Sequence, residues 1–205
     1  MSNLILALHS LSPLTAEASD HLTAVTSNRT FSKGDLILRN GKVCQQLYYL
    51  QKGLVKLFFY KDDKEFIMRF FHENSIFTGL DSYITQTSSL YSIEALETTT
   101  VSCIAYTYME QLCKKHHSIE TAFRKFVSTA SVNMMNRISE MLEENGTERY
   151  NNFVSDNKDL MQRISLGDLA GYLGITQVSL SRIRARKWLF IICKKTAHAL
   201  AATLP

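Results

Sequence analysis

The stretch SLGDLAGYLGITQVSLSRIRARK, Ser165–Lys187, decides how this chain is read. Two short helices fit it, with a break at Gly174. A helix-turn-helix makes specific steric demands. It needs a small residue where the helices touch, a turn residue that tolerates positive φ, and apolar residues only on the inner face of the second helix. Ala170 supplies the small contact, and Gly174, four positions on, supplies the turn. Leu169, Leu173, Ile175, Leu180 and Ile183 are expected to face inward, and Thr176 stands where an N-cap belongs. Gln177, Val178, Ser179, Ser181, Arg182, Arg184 and Ala185 are left outside. That outer set suits the major groove of DNA. Arg grips guanine O6 and N7 with paired hydrogen bonds, and Gln does the same for adenine N6 and N7. Hydroxyls and a helix N-terminus suit phosphate oxygens. A purely structural helical hairpin is the other reading of the same residues.

Charge separates these readings further. From Met161 to Pro205 the chain has seven Lys or Arg against one acid, Asp168, a net of +6. The preceding 160 residues hold 16 bases and 18 acids, a net of −2. A near-neutral body with a basic end fits a polyanion partner. Arg186 and Lys187, with Arg184, read as phosphate contacts rather than base readers.

Composition bounds the rest. With 205 residues, 45% hydrophobic and 20% charged, the chain has room for one large domain or a medium and a small one. No run of about 18 uncharged apolar residues occurs, so no membrane span is expected. The start has no basic region before its apolar patch, and a cytoplasmic location is expected. Cys44, Cys103, Cys113 and Cys193 have no C-x-x-C spacing and read as reduced thiols. His116 and His117 are adjacent, so on a helix they diverge by roughly 100° and share a metal poorly. No metal site is expected, no cofactor is named, and no nucleophile–base pair or phosphate loop points to an enzyme.

From about Phe31 to Tyr106, short apolar runs alternate with glycines and charged turns, and KDDK (Lys61–Lys64) reads as a hairpin turn. Strands at this spacing argue for an antiparallel sandwich or barrel. From about Met109 to Glu144 the period becomes helical. Ile119, Phe123, Phe126, Ala130, Met134, Ile138 and Met141 form a stripe at steps of three and four. Counted from Ser118, the helix has about 25 residues, or ~38 Å. A helix that long either pairs with its copy in a second subunit, the favoured reading, or connects two parts of one chain. ENG (Glu144–Gly146) ends it, with Gly146 as its expected C-cap.

FSKGDLILRNGK, LYYLQKGLVKLF, KEFIMRFFHENSIF and IEAL, followed by the long helix and the helix-turn-helix, resemble the CRP/FNR-type bacterial transcription regulators. The resemblance covers about Phe31 to Arg186. It implies an α+β chain with an N-terminal antiparallel β jelly roll of the cyclic-nucleotide-binding kind, a long dimerisation helix and a C-terminal helix-turn-helix domain. The division implied is a sensor domain over 1–117, a dimerisation helix over 118–146 and a DNA-binding domain over 147–205. A homodimer reading two half-sites about one helical turn apart follows, and RNA polymerase is a partner the resemblance allows. The family's base-reading positions fall on Gln177, Val178 and Arg182. Val178 departs from the acidic residue often found there, so the family's best-known target sequence does not transfer.

The effector cassette departs further. Members that bind cyclic nucleotide carry a Gly-Glu pair and an Arg-Ser or Arg-Ala pair. Aligned on IEAL, the second pair falls on Ser89-Leu90, and near the first stand Gly79, Leu80 and Asp81. No Arg or Lys lies between Arg69 and Lys114. A buried phosphate without a cation is costly, so cyclic AMP binding is not expected and the effector stays unnamed. The tail Trp188–Pro205 also departs, having no hairpin turn signal where the family often has a β wing. The function expected is sequence-specific binding of double-stranded DNA. The alternative is a small-molecule or cyclic-nucleotide sensor or interaction module whose C-terminal helices do not read DNA.

Overall fold

The computed structural model describes residues 3–186. They fall into two compact units, one ending at Ser139 and the other beginning at Glu140. Lys187 and the tail Trp188–Pro205 lie outside the described residues.

The first unit opens with two helices, α1 (Asn3–Leu11) and α2 (Ala16–Val25). Thr15 caps α2, its hydroxyl accepting the Ala18 N–H at 3.2 Å. Eight strands follow: β1 (Ser27–Phe31), β2 (Leu36–Leu38), β3 (Gln46–Lys52), β4 (Val55–Lys61), β5 (Lys64–Phe71), β6 (Ile76–Phe77), β7 (Ser92–Ala95) and β8 (Thr99–Ala105). They form two four-stranded sheets, β1-β8-β3-β6 and β2-β7-β4-β5, and every paired strand is antiparallel. This is the expected jelly-roll type of sandwich. The KDDK turn closes the β4–β5 hairpin, with Asp62 and Asp63 both in the left-handed region at φ 50° and 56°. A tight hairpin needs that hand of turn to match the strand twist.

The helices explain a pattern that alternation alone does not. Leu47, Tyr48, Tyr49 and Leu50 on β3 are all buried, although a strand with one wet face should alternate. Helix α1 packs on β3 and β8, and α2 packs on β8, so the outer face of that sheet is also covered. Leu4, Ile5, Leu8 and Leu22 join the sandwich residues Leu47, Val55, Ile93 and Val101 in one core. On the other sheet, Lys56 of β4 is buried, its Nζ 2.6 Å from Glu65 Oε1 and 3.7 Å from Glu94 Oε2. Stranding such a pair by removing one partner costs about 3–5 kcal/mol, which ties β4 to β5 and β7.

One local reading needs correction. Helix α3 (Leu80–Thr85) interrupts the region read as strands. It forms because the Ser82 hydroxyl folds inward, accepting the Cys44 N–H at 2.8 Å and donating to the Thr87 carbonyl. After β8, the helical region is two helices, α4 (Tyr106–Lys115) and α5 (His117–Glu143), broken at His116. The long helix therefore exists, and Ile119, Ala122 and Phe126 at its start are buried in the sandwich core.

The second unit holds α6 (Gly146–Asp156), a 3-10 turn (Lys158–Gln162), α7 (Leu166–Leu173) and a helix over 177–186, here α8. Gly146 is the first residue of α6 rather than a C-cap. Asn145 accepts the Thr147 and Glu148 N–H groups at 2.9 and 3.2 Å, and the Glu148 carboxylate accepts the Asn145 N–H at 2.8 Å. This reciprocal capping box starts a helix and leaves no use for a C-cap. Glycine is needed there for a different reason, since a Cβ would fall 2.8 Å from Ile175 Cγ2. Among the described residues of this unit, Tyr150, Phe153, Leu160, Leu169, Ala170, Leu173 and Leu180 are the buried apolar set.

Candidate nucleic-acid interface and effector cassette

In the second unit, α7 and α8 stand on either side of the turn at Gly174. Ser165 caps α7, accepting the Asp168 N–H at 2.9 Å. Gly174 ends it with φ 66°, and the helix closes through its N–H to the Ala170 and Gly171 carbonyls. The Arg149 guanidinium on α6 braces this corner: its Nε donates to the Leu173 carbonyl at 3.0 Å, and it also donates to the Glu144 carbonyl. The sequence held no signal for that brace, because an isolated Arg on a polar helix face looks solvated.

Thr176 caps α8. Its hydroxyl accepts the Ser179 N–H at 3.1 Å and donates to Ser179 Oγ at 3.0 Å. Of the expected inward residues, Leu169, Leu173 and Leu180 are buried, and Ile175 and Ile183 are half-buried. Thr176, Gln177, Val178, Ser181, Arg182, Arg184 and Arg186 are exposed, and Ser179 is half-buried. Two of these side chains have prior engagements: Thr176 and Ser179 are tied to each other by the cap. The Gln177 carboxamide lies close over Gly167 of α7, where a Cβ would sit 3.0 Å from Nε2. The face of α8 left fully open is Val178, Ser181, Arg182 and Ala185, flanked by Arg184 and Arg186.

In the first unit the cassette residues converge on one carboxylate. Gly79 is buried and precedes α3, its backbone close against the Leu38 side chain. Leu80 is half-buried against the core. Asp81, the next residue, points back across the loop that joins α3 to β7. Its oxygens accept the Ser89 hydroxyl at 3.1 and 3.2 Å, and Oδ2 accepts the Leu90 N–H at 3.0 Å. Ser89 is buried, and its Oγ accepts the Tyr91 N–H at 3.1 Å. The Leu90 side chain is 70% exposed, so the backbone N–H, not the side chain, is what Leu90 brings to this site.

Helix α3 also reaches inward. Tyr83 is buried, edge-on to the Tyr106 ring at 5.3 Å and 6.0 Å from the Phe123 ring of α5. Burial pushes its phenol up, so it stays neutral. Cassette and long helix thus share one aromatic cluster within the first unit.

A jelly-roll unit carrying such a cassette, followed by a long helix and a helix-turn-helix, defines a class, and the comparisons agree. Residues 28–116 match the cyclic nucleotide-binding domain family. The chain is 22% identical over 185 residues to the electron transport regulator A of Shewanella oneidensis, covering 84% of this chain and 74% of that protein. Among solved structures it resembles FixK2 from Bradyrhizobium japonicum (TM-score 0.71, 16% identity, 79% of this chain and 84% of that one). It also resembles the c-di-GMP responsive global regulator CLP of Xanthomonas campestris (TM-score 0.67, 18% identity, 85% and 92%). The chain has the fold of the CRP/FNR transcription regulators, and the part that matches the cyclic nucleotide-binding domain family is its β sandwich. Among the described residues, no helix is long and apolar enough to cross a membrane.

Proposed function

We propose that this chain is a sequence-specific, homodimeric, DNA-binding transcription regulator whose β domain does not take cyclic AMP. The observation that carries the reading is α8: its apolar residue Leu180 is buried while Gln177, Val178, Ser181 and Arg182 stand exposed behind a rigid, capped turn. Arg182 is the principal base reader, with Gln177 and Val178 beside it, and Val178 meets a thymine methyl rather than a cytosine amine. Arg184 and Arg186 hold phosphates, as does Lys187, which lies outside the described residues. Thr176, Ser179 and Ser181 belong to the same surface, and the Thr176–Ser179 cap makes these two positioning groups first.

The domains follow the division 1–117, 118–146 and 147–205, as sensor, dimer helix and DNA-binding part. In the sensor, the Asp81 carboxylate occupies the donors, Ser89 Oγ–H and the Leu90 N–H, that face the cassette. An entering phosphate finds those donors taken, a carboxylate nearby and no Arg or Lys between Arg69 and Lys114. Cyclic phosphate is excluded by charge as well as by occupancy. RNA polymerase is the partner a promoter-bound dimer would contact.

Selection of bound sequences from random duplexes tests the reading with the full chain. An enriched motif with two-fold symmetry and half-sites about 10 base pairs apart supports it. Uniform, weak binding without a motif overturns it in favour of a sensor or interaction module that does not read DNA.

A further inference from the structure

Ninety-five residues apart in the chain, His21 and His116 face each other with Nδ1 of the first 2.7 Å from Nε2 of the second. The rings are tilted at 45° with centroids 4.9 Å apart. Glu17, one turn earlier on α2, places Oε1 3.9 Å from the same His21 nitrogen. The three donor atoms lie within 4.8 Å of one another. His116 is buried, whereas the His21 and Glu17 side chains are 36% and 67% exposed. The cluster therefore has a fixed floor and an open mouth. The Lys115 ammonium sits at the mouth, 3.5 Å from Glu17 Oε1.

We propose that Glu17, His21 and His116 form a binding site for a first-row divalent metal ion of the zinc kind. Two imidazole nitrogens and one carboxylate, with a fourth position open to water, are the donor set such an ion takes. Their placement is chemically economical. Glu17 and His21 are spaced i, i+4 and share one face of α2, and His116 supplies the third donor from the break between α4 and α5. At metal–nitrogen distances of about 2.0–2.1 Å, two nitrogens on a tetrahedral ion stand ~3.3 Å apart. The 2.7 Å contact is a hydrogen bond in which one imidazole donates its proton to the other. Opening by ~0.6 Å admits the ion, and the half-exposed His21 can move by that amount. Each ring binds through its near nitrogen with a proton on the far one, Nε2 of His21 and Nδ1 of His116, so the ring that donates across the 2.7 Å contact passes its near proton to solvent and takes one up on its far nitrogen, with no net release. The Glu17 carboxylate turns from the Lys115 ammonium to the ion.

The position of His116 gives the site a consequence. Its N–H donates to the Leu112 carbonyl at 2.8 Å and so closes α4. Its carbonyl accepts the Ile119 and Glu120 N–H groups at 3.0 and 3.2 Å and so opens α5. An ion held by this residue and by α2 pins the root of the long helix to the N-terminal helices of the first unit.

Titration of the metal-free full chain with Co2+, a spectroscopic stand-in for Zn2+, tests the site. Expected is one ion per chain, a visible d–d band of low-coordinate cobalt, displacement by Zn2+, and a Zn2+-dependent rise in the unfolding temperature. The surface variants His21→Gln and Glu17→Gln should retain the far-UV circular dichroism of the parent. His21→Gln should bind about tenfold or more weakly and lose the thermal shift. The proposal is overturned if the parent shows no band with cobalt in excess. It is also overturned if His21→Gln binds as tightly as the parent, or if a thiolate charge-transfer band assigns the ion to a cysteine. None of these readouts involves DNA.

Discussion

The Ser89 hydroxyl lies 3.1 and 3.2 Å from the two oxygens of Asp81, eight residues earlier, so one side chain of the cassette is bound by another. The same carboxylate takes the Leu90 N–H, and Ser89 in turn takes the Tyr91 N–H. Ser89 is 2% exposed, so water does not replace a lost partner. Asp81→Ala should destabilise the chain by about 1–3 kcal/mol, read by urea unfolding. Asp81→Asn keeps one acceptor oxygen and should cost less. Neither variant should gain cyclic AMP binding by calorimetry, because removing the carboxylate does not supply the missing cation. Binding by Asp81→Ala would show that occupancy by the carboxylate, not the lack of Arg, excludes the nucleotide.

Cys113 on α4 gives a pH-dependent prediction. Burial first, and then the nearby Glu110 and Glu120 carboxylates, push its thiol up to about 12. The thiol is thus protonated in the folded chain at pH 8, where an unfolded thiol near 8.5 is partly ionised. Iodoacetamide should modify Cys113 much more slowly in the folded chain than in urea, read by peptide mass spectrometry. The sign of the stability effect follows. Above the unfolded value the unfolded chain sheds a proton that the native chain keeps, so stability falls as pH rises from ~8.5 toward about 12. Cys113→Ser should flatten that alkaline slope and leave stability below pH 8 with no slope from this group.

Among the described residues, the long helix carries an apolar series left exposed in the single chain. Val132, Met135 and Ile138, at steps of three, are 54%, 67% and 52% exposed. A second copy of the same helix is the occupant proposed for them. Burying a Met or Ile side chain is worth about 1.5–3 kcal/mol, and near a two-fold axis each contributes twice. Met135→Glu also places two like charges together. It should weaken the dimer by at least about tenfold in sedimentation equilibrium, with no loss of helix content. A parent chain that sediments as a monomer would refute the dimer.

What the sequence disclosed, and what it did not, divides by the range of the contact. The helix-turn-helix was legible because its determinants are local: Ala170, Gly174 and Leu180 lie within eleven residues, and their spacing encodes the crossing. The KDDK turn was legible for the same reason. The stripe Ile119–Met141 correctly announced a helix but not its open face. Its early members Ile119 and Phe126 are buried, whereas its later member Ile138 is exposed together with Val132 and Met135, which lie outside it. Gly146 was misread because glycine after a helix is usually a cap, and the steric demand of Ile175 comes from a residue 29 positions on. Helices α1 and α2 went unread because each is short and their apolar residues Leu4, Leu8 and Leu22 gain meaning only against β3 and β8. His21 and His116 were invisible as a pair: the sequence offered His116 its neighbour His117, and the fold gave it His21. Gly79, Leu80, Asp81, Ser89 and Leu90 were found by alignment, but the direction of the Asp81 carboxylate could come only from the folded loop.

Arg182 and Arg186 sit four residues apart on α8, both exposed, and the proposed reading gives them different work. Arg182 follows the open face with Val178, whereas Arg186 stands one turn further toward the end of the described helix. A base contact and a phosphate contact differ in a measurable way. Phosphate neutralisation releases counterions, so each such contact adds about 0.9 to the slope of log affinity against log salt and is blind to sequence. A bidentate base contact discriminates by about 1–3 kcal/mol at one position and contributes little to that slope. Arg182→Ala should therefore relax the selected motif at one position in each half-site, with the salt slope nearly kept. Arg186→Ala should weaken binding to all duplexes about equally and lower the slope by about one per subunit. Lys substitutions sharpen the contrast. Arg186→Lys keeps the charge and should behave almost as the parent, whereas Arg182→Lys loses the planar fork and should still lose discrimination. If Arg182→Ala instead weakens all sequences alike, Arg182 is a phosphate contact, and the reading of base sequence shifts to Gln177 and Val178.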